Sequence, residues 1–315
     1  MRDANRQADL HQRKETENMA DVYFHLPGLF EYLEFYKLFL PLFFEHHEYF
    51  YDWCEIGSIY GAPAGCRWSG GRITEETCNP KEVLELMSRY QISACLTFSN
   101  SLLQPAHLQD PQCNDLCSLF SKSRTSNGVI VASDLLVNYL QISYPKLYLV
   151  SSTTKVLTKF PEFKEELNRP EYQFVVPDFR LNKDFSNLQT LSAAEKNRTA
   201  FLCNECCDIH CEQRKLCYEA VSREALGIEG PVFRCHAPHG AEGYRFSRAM
   251  HNPSFISIND ILQIYLPMGF HHFKIEGRSL GSALILEFLL YYMTKAEYQI
   301  NVREEIYLSN TLDLF

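Results

Sequence analysis

The chain has 315 residues, 46% of them hydrophobic and 22% charged, with a net charge of −9. Such a length and composition suit one large globular domain with a sizeable core. The negative charge argues against RNA or DNA as the main partner, because phosphate backbones are met by basic surfaces.

Residues 1–18 are charged throughout and lack an apolar run. They read as a disordered tail rather than a secretory signal, which leaves 19–315 as a single domain. Segment 29–50 is rich in Phe, Leu and Tyr, yet it carries Glu31, Glu34, Lys37, Pro41, Glu45 and Glu48. Its longest uncharged run, 38–44, is far too short to span a bilayer, so a buried amphipathic helix is expected. Tyr32, Phe35, Tyr36 and Phe39 alternatively offer a face to a protein partner. Without an export signal, the twelve cysteines are expected to be reduced or metal-bound in the cytoplasm.

Eight short β-rich runs follow, at 53–57, 92–98, 129–132, 147–150, 173–176, 200–202, 255–258 and 273–275. Most are continuously apolar, as strands covered on both faces should be. The intervening segments show helical spacing. Asp134 suits the N-cap of a helix over 134–140. Leu280, Leu284, Phe288 and Tyr291 form an apolar stripe near the C-terminus. Eight β–α units predict a (β/α)₈ TIM-like barrel, with an open doubly wound sheet as the alternative.

In a barrel the polar residues that follow each strand gather on one rim. Here they include Asn100, Lys155, Asp178, Arg180, Glu276 and Arg278. Lys155, Arg180 and Arg278 together are expected to form an anion pocket, because guanidinium forks suit carboxylates. Asp178 and Asn100 would complete the substrate contacts. Glu276 would position the substrate or move a proton, with Arg278 as its catalytic partner. The glycine-rich loop 61–72 lacks the helix start of a phosphate loop and reads as a rim loop with Cys66 aimed inward. No HExxH helix is present.

Segment 203–253 is too long for a simple crossover, and it is rich in cysteine. Cys203, Cys206, Cys207, Cys211 and Cys217 lie within fifteen positions, and Cys235 follows. Closely spaced thiolates suit a soft metal centre. Cys207 and Cys211, four apart, would share one helical face, and Cys235 would reach them. The fourth ligand is open between Cys203, Cys206, Cys217 and Cys66. His210, His236 or His239 could replace a thiolate in a zinc site.

The run Gly269-Phe270-His271-His272-Phe273-Lys274-Ile275-Glu276-Gly277-Arg278 resembles the hallmark of the peptidase U32 family, in which a strand ends in KIEGR. Ser257-Ile258-Asn259-Asp260-Ile261 is similar to the family's strand and turn before it. Cys207-x₃-Cys211 resembles the closely spaced ligand pair of its ubiquinone-biosynthesis members. The resemblance covers about the last half of the chain. It implies a TIM-like barrel and, in several members, a [4Fe–4S] cluster on four cysteines. Those members are linked to oxygen-independent hydroxylation of ubiquinone precursors or RNA bases, with prephenate as the implied oxygen donor. Others are known as collagenase-like proteases. Cysteine spacing and the aromatic N-terminal helix depart from the quinone- and RNA-modifying members, as in a divergent branch. The resemblance thus implies an iron–sulfur hydroxylase acting on a small anionic or aromatic molecule, its cluster held by Cys207, Cys211, Cys235 and either Cys203 or Cys66. A peptidase, or a zinc-stabilised partner subunit without catalysis, is the alternative.

Overall fold

In the computed structural model the described residues are 21–71, 78–235 and 244–312. The expected tail, 1–18, lies outside them, as do His236 and His239. Eight parallel strands form a TIM-like barrel: β1 Val22–Pro27, β2 Cys54–Gly61, β3 Ser93–Phe98, β4 Gly128–Val131, β5 Tyr148–Ser151, β6 Tyr172–Val175, β7 Ala200–Leu202 and β8 His272–Lys274. The ladder runs β6-β5-β4-β3-β2-β1-β8-β7. A parallel bridge between Val175 and Thr199 joins its two ends, where the Val175 amide donates to the Arg198 carbonyl at 2.8 Å.

Strand alternation sorts side chains into two apolar layers. The inward set contains Tyr60, Cys95, Ile130, Val150, Val176, Ala200 and Leu202. The outward set, with Phe24, Ile59, Leu96, Val129 and Phe273, packs beneath the helices. Two-sided burial is why most of these strands read as continuous apolar runs.

Two of the expected elements change. β1 was not among the eight expected strands. Residues 255–258 are not a strand: the Ile256 amide donates to the Cys203 carbonyl at 3.0 Å, but no ladder follows. Ser257 instead caps the next helix, its Oγ accepting from the Asp260 amide at 3.1 Å while Asp260 Oδ2 accepts from the Ser257 amide at 2.8 Å. This reciprocal pair stops strand growth and starts a helix. The cysteine-rich stretch therefore lies between β7 and β8.

The aromatic segment forms helix Leu33–Glu45, with Pro41 inside it. Phe35, Phe39 and Phe43 stack at successive turns, with centroids 5.6 and 6.0 Å apart. Tyr32, Phe35, Tyr36 and Phe39 are all buried in the outer core. They are thus unavailable as the partner face considered above. Ser133, rather than Asp134, is the N-cap of helix Asp134–Ser143. Asp134 pairs instead with Arg169 at 2.8 Å. In helix Ser282–Met293 the buried face runs through Ile285, Phe288, Leu289 and Tyr292, and Leu280 precedes the helix. No helix among the described residues is long and apolar enough to cross a membrane.

Candidate functional site

The carboxyl ends of the strands surround a cavity of about 80 Å³. β2 contributes Tyr60, and the loop after it Gly71. β3 contributes Thr97 and, just beyond its end, Ser99. The turn after β5 brings Ser152 and Thr154. β8 and its loop bring Lys274, Glu276 and Arg278. Glu205 closes the cavity from the cysteine-rich side. The sequence motif 274–278 therefore lines this cavity through Lys274, Glu276, Gly277 and Arg278.

Three side chains fix that wall. Tyr32 Oη donates to the Gly277 carbonyl at 2.7 Å and accepts from the Leu280 and Gly281 amides at 3.0 Å each. Asn204 imitates a strand: its Oδ1 accepts from the Glu276 amide at 2.8 Å and its Nδ2 donates to the Glu276 carbonyl at 3.1 Å. Tyr60 Oη donates to the Ile275 carbonyl at 2.5 Å. Gly277 must be small, since a Cβ there would lie 2.3 Å from Ile285.

Arg278 is only 7% exposed. Its Nε donates to Glu31 Oε1 at 2.9 Å, which aims the guanidinium fork. Nη1 and Nη2 are buried and meet no protein acceptor among the described residues. Thr97 Oγ1 and Ser99 Oγ, on the same cavity, are buried and equally without a partner. Gly71 lets the guanidinium fit, because a Cβ there would come within 2.8 Å of Nη1. Buried polar groups are normally satisfied, and each one left without a partner costs about 1–3 kcal/mol. The fork and hydroxyls together leave unmatched hydrogen-bonding groups at the cavity wall.

Lys274 enters the cavity from below. Its Nζ sits 3.7 Å from the centroid of the Tyr60 ring. Burial holds its pKa down at about 8; nearby Arg278 pushes the same way, while Cys95 and Glu276 oppose. Lys274, Tyr60 and Ile130 also line a second cavity of about 20 Å³ inside the barrel. They form a floor between the two. Beneath it, His25 Nδ1 and Ser58 Oγ are 2.8 Å apart.

The other expected binding residues are engaged elsewhere. Lys155 Nζ donates to Glu166 Oε1 at 2.6 Å and to Tyr172 Oη at 3.0 Å. Arg180 pairs with Asp178 at 2.8 Å, donates to the Ile209 carbonyl at 2.9 Å and also holds the Cys211 carbonyl. Asp178 is fully buried between Arg180 and Arg214. Asn100 Nδ2 donates to the carbonyls of Arg67, Ser69 and Ser222, so it ties loops together. None of the four lines the cavity. The expected three-cation pocket reduces to Arg278, because local acids capture the other two cations.

The cysteines also separate. Cys203 lies in the outer core behind β7, where burial raises its pKa. Cys66 is buried in the loop after β2, beside Cys113. Cys207 and Cys211 sense each other, and burial pushes the Cys207 thiol up to about 12. Cys235 is exposed. Among the described residues no three His, Cys, Asp or Glu side chains converge as a metal site. A [4Fe–4S] cluster or structural zinc needs about four converging ligands, preferably thiolates, and this donor arrangement does not fit either.

No protein-family model and no curated protein matches this chain. Among solved structures, the U32 peptidase Mk0906 superposes with a TM-score of 0.52 at 14% identity, over 84% of this chain and 95% of that one. The barrel is shared with a U32 peptidase. At that identity the likeness to Mk0906 is one of fold.

Sequence reasoning passed over Glu31, Tyr32, Asn204 and Lys274. Only Lys274 carried a signal: it alternates with Glu276 and Arg278 and so shares the inner face.

Proposed function

We propose that this chain is a U32-type barrel enzyme that binds a small carboxylate-bearing molecule in the rim cavity. One observation carries the reading: a nine-tenths buried guanidinium, aimed by Glu31, has both terminal nitrogens unmatched at the cavity wall. A carboxylate would accept from both, and Thr97 and Ser99 would donate to its oxygens. Glu276, on the same wall, would move a proton.

The hydroxylase version of this reading keeps the small anionic substrate, but among the described residues its expected cluster ligands do not converge. Peptide hydrolysis has less support. The His25–Ser58 pair is a nucleophile–base geometry, but it lies under the Tyr60–Lys274 floor and away from the rim cavity. Calorimetric titration with acetate, pyruvate and succinate tests the proposal. Binding should weaken roughly 10- to 100-fold in Arg278→Met, the loss of about 1.5–3 kcal/mol that charged hydrogen bonds contribute. Equal affinity in the two proteins would refute it.

A further inference from the structure

We propose that the Lys274 amine is a nucleophile that forms an imine with the carbonyl carbon of a small oxo-acid whose carboxylate rests on Arg278. This builds on the carboxylate reading above and names the substrate class: a 2-oxo or 3-oxo acid.

Four features of the site converge. Lys274 is on the inner face of β8, in the wall of the cavity that holds Arg278. No carboxylate among the described residues forms an ion pair with its ammonium; only the Tyr60 ring supports it. A lysine kept for stability alone would ordinarily reach a carboxylate or water. Burial brings its pKa down to about 8, and the neighbouring guanidinium acts the same way against the opposing pull of Cys95 and Glu276. These are the two means by which a lysine is made nucleophilic. Finally, Lys274 and Arg278 lie on one strand and the loop after it, so an anchored acid presents its carbonyl to the amine over a short span.

The step balances without a co-reactant. The amine lone pair attacks the carbonyl carbon, and the carbonyl π pair moves to oxygen, which takes up a proton from solvent, so that the imine formed at the end is protonated. The nitrogen then loses a proton, the hydroxyl leaves as water, and a C=N bond remains. Glu276, two residues along and on the same face, carries the proton from nitrogen to the departing hydroxyl.

Borohydride trapping tests this on the full chain. Incubation with pyruvate or glyoxylate and sodium borohydride should add one reduced adduct per chain, and peptide mapping should place it on Lys274. Acetone, which has the carbonyl but no carboxylate, should label Lys274 at least tenfold more slowly. Lys274→Met should lose the adduct while still binding acetate at Arg278. Labelling confined to other lysines, or absent, would overturn the imine. If acetate binding persists in that case, only the imine fails; if acetate binding is also absent, the carboxylate reading fails with it.

Discussion

Two cationic side chains in one small cavity behave differently because their neighbours differ. Glu31 aims Arg278 through a charged hydrogen bond, whereas Lys274 rests on the Tyr60 ring and forms no ion pair among the described residues. The groups facing Lys274 leave it as the one that titrates near neutrality. His25 on β1 is held well below its ordinary value by burial, so it stays neutral. Burial raises Cys95 on β3 to about 12 and keeps Tyr60 on β2 and Tyr148 on β5 well above theirs. Glu276 and Arg278 complete the surroundings. Amine reactivity should therefore rise with pH and level off above about 8, which the rate of borohydride trapping would report. An inflection near 10 would contradict the placement. Stability follows the same sign. The unfolded chain holds the Lys274 proton up to a higher pH than the folded chain does, so this lysine destabilises the fold below about 8. The deficit disappears as pH rises from about 8 to the unfolded value near 10.4. Lys274→Met should raise stability at pH 7 by roughly 1–3 kcal/mol and remove that pH dependence. Chemical denaturation at pH 7 and pH 10 measures both.

Among the elements, β3 to β7 were legible because burial on two faces writes an unbroken apolar run into the sequence. β1, Val22–Pro27, is shorter in signal: His25 interrupts it, and an aromatic helix follows almost at once. Residues 255–258 carry an equally apolar run, but Ser257 and Asp260 spend their side chains on a helix start. The motif 274–278 was legible as a wall of the site. Its supports were not, since Glu31, Tyr32 and Asn204 reach it from other parts of the chain. Lys155 and Arg180 show the converse: their position after a strand was read correctly, but sequence could not reveal that Glu166 and Asp178 would claim them. The cysteine-rich segment is held by its polar neighbours. Arg214 pairs with Glu205 at 2.5 Å, and Asn252 donates to the Cys207 carbonyl at 2.9 Å. No three of its described His, Cys, Asp or Glu side chains converge on a metal. Anaerobic reconstitution with iron and sulfide should accordingly leave well under one cluster per chain. A full cluster that is lost in both Cys207→Ser and Cys211→Ser would reinstate the ligand set read from the sequence.

For the whole molecule, the barrel is closed at one seam, between β6 and β7. Arg198 holds it by donating to the carbonyls of Leu167 at 2.7 Å, Arg169 at 2.7 Å and Tyr172 at 2.5 Å. Removing the guanidinium leaves three carbonyls to find other donors. Arg198→Met should cost roughly 2–4 kcal/mol in urea unfolding. Amide exchange should quicken at β6 and β7 before β3 and β4. An unchanged unfolding midpoint would show that closure rests elsewhere. The open side of this barrel presents the cavity to solvent, as the (β/α)₈ architecture does for its active sites.

The central claim is that Arg278 awaits an anion, and a crystal structure of the chain grown with pyruvate addresses it most directly. The account predicts a carboxylate within about 3 Å of Arg278 Nη1 and Nη2, with Thr97 and Ser99 turned toward it. Nη1 and Nη2 already paired with a protein carboxylate, and a cavity holding only water, would contradict it.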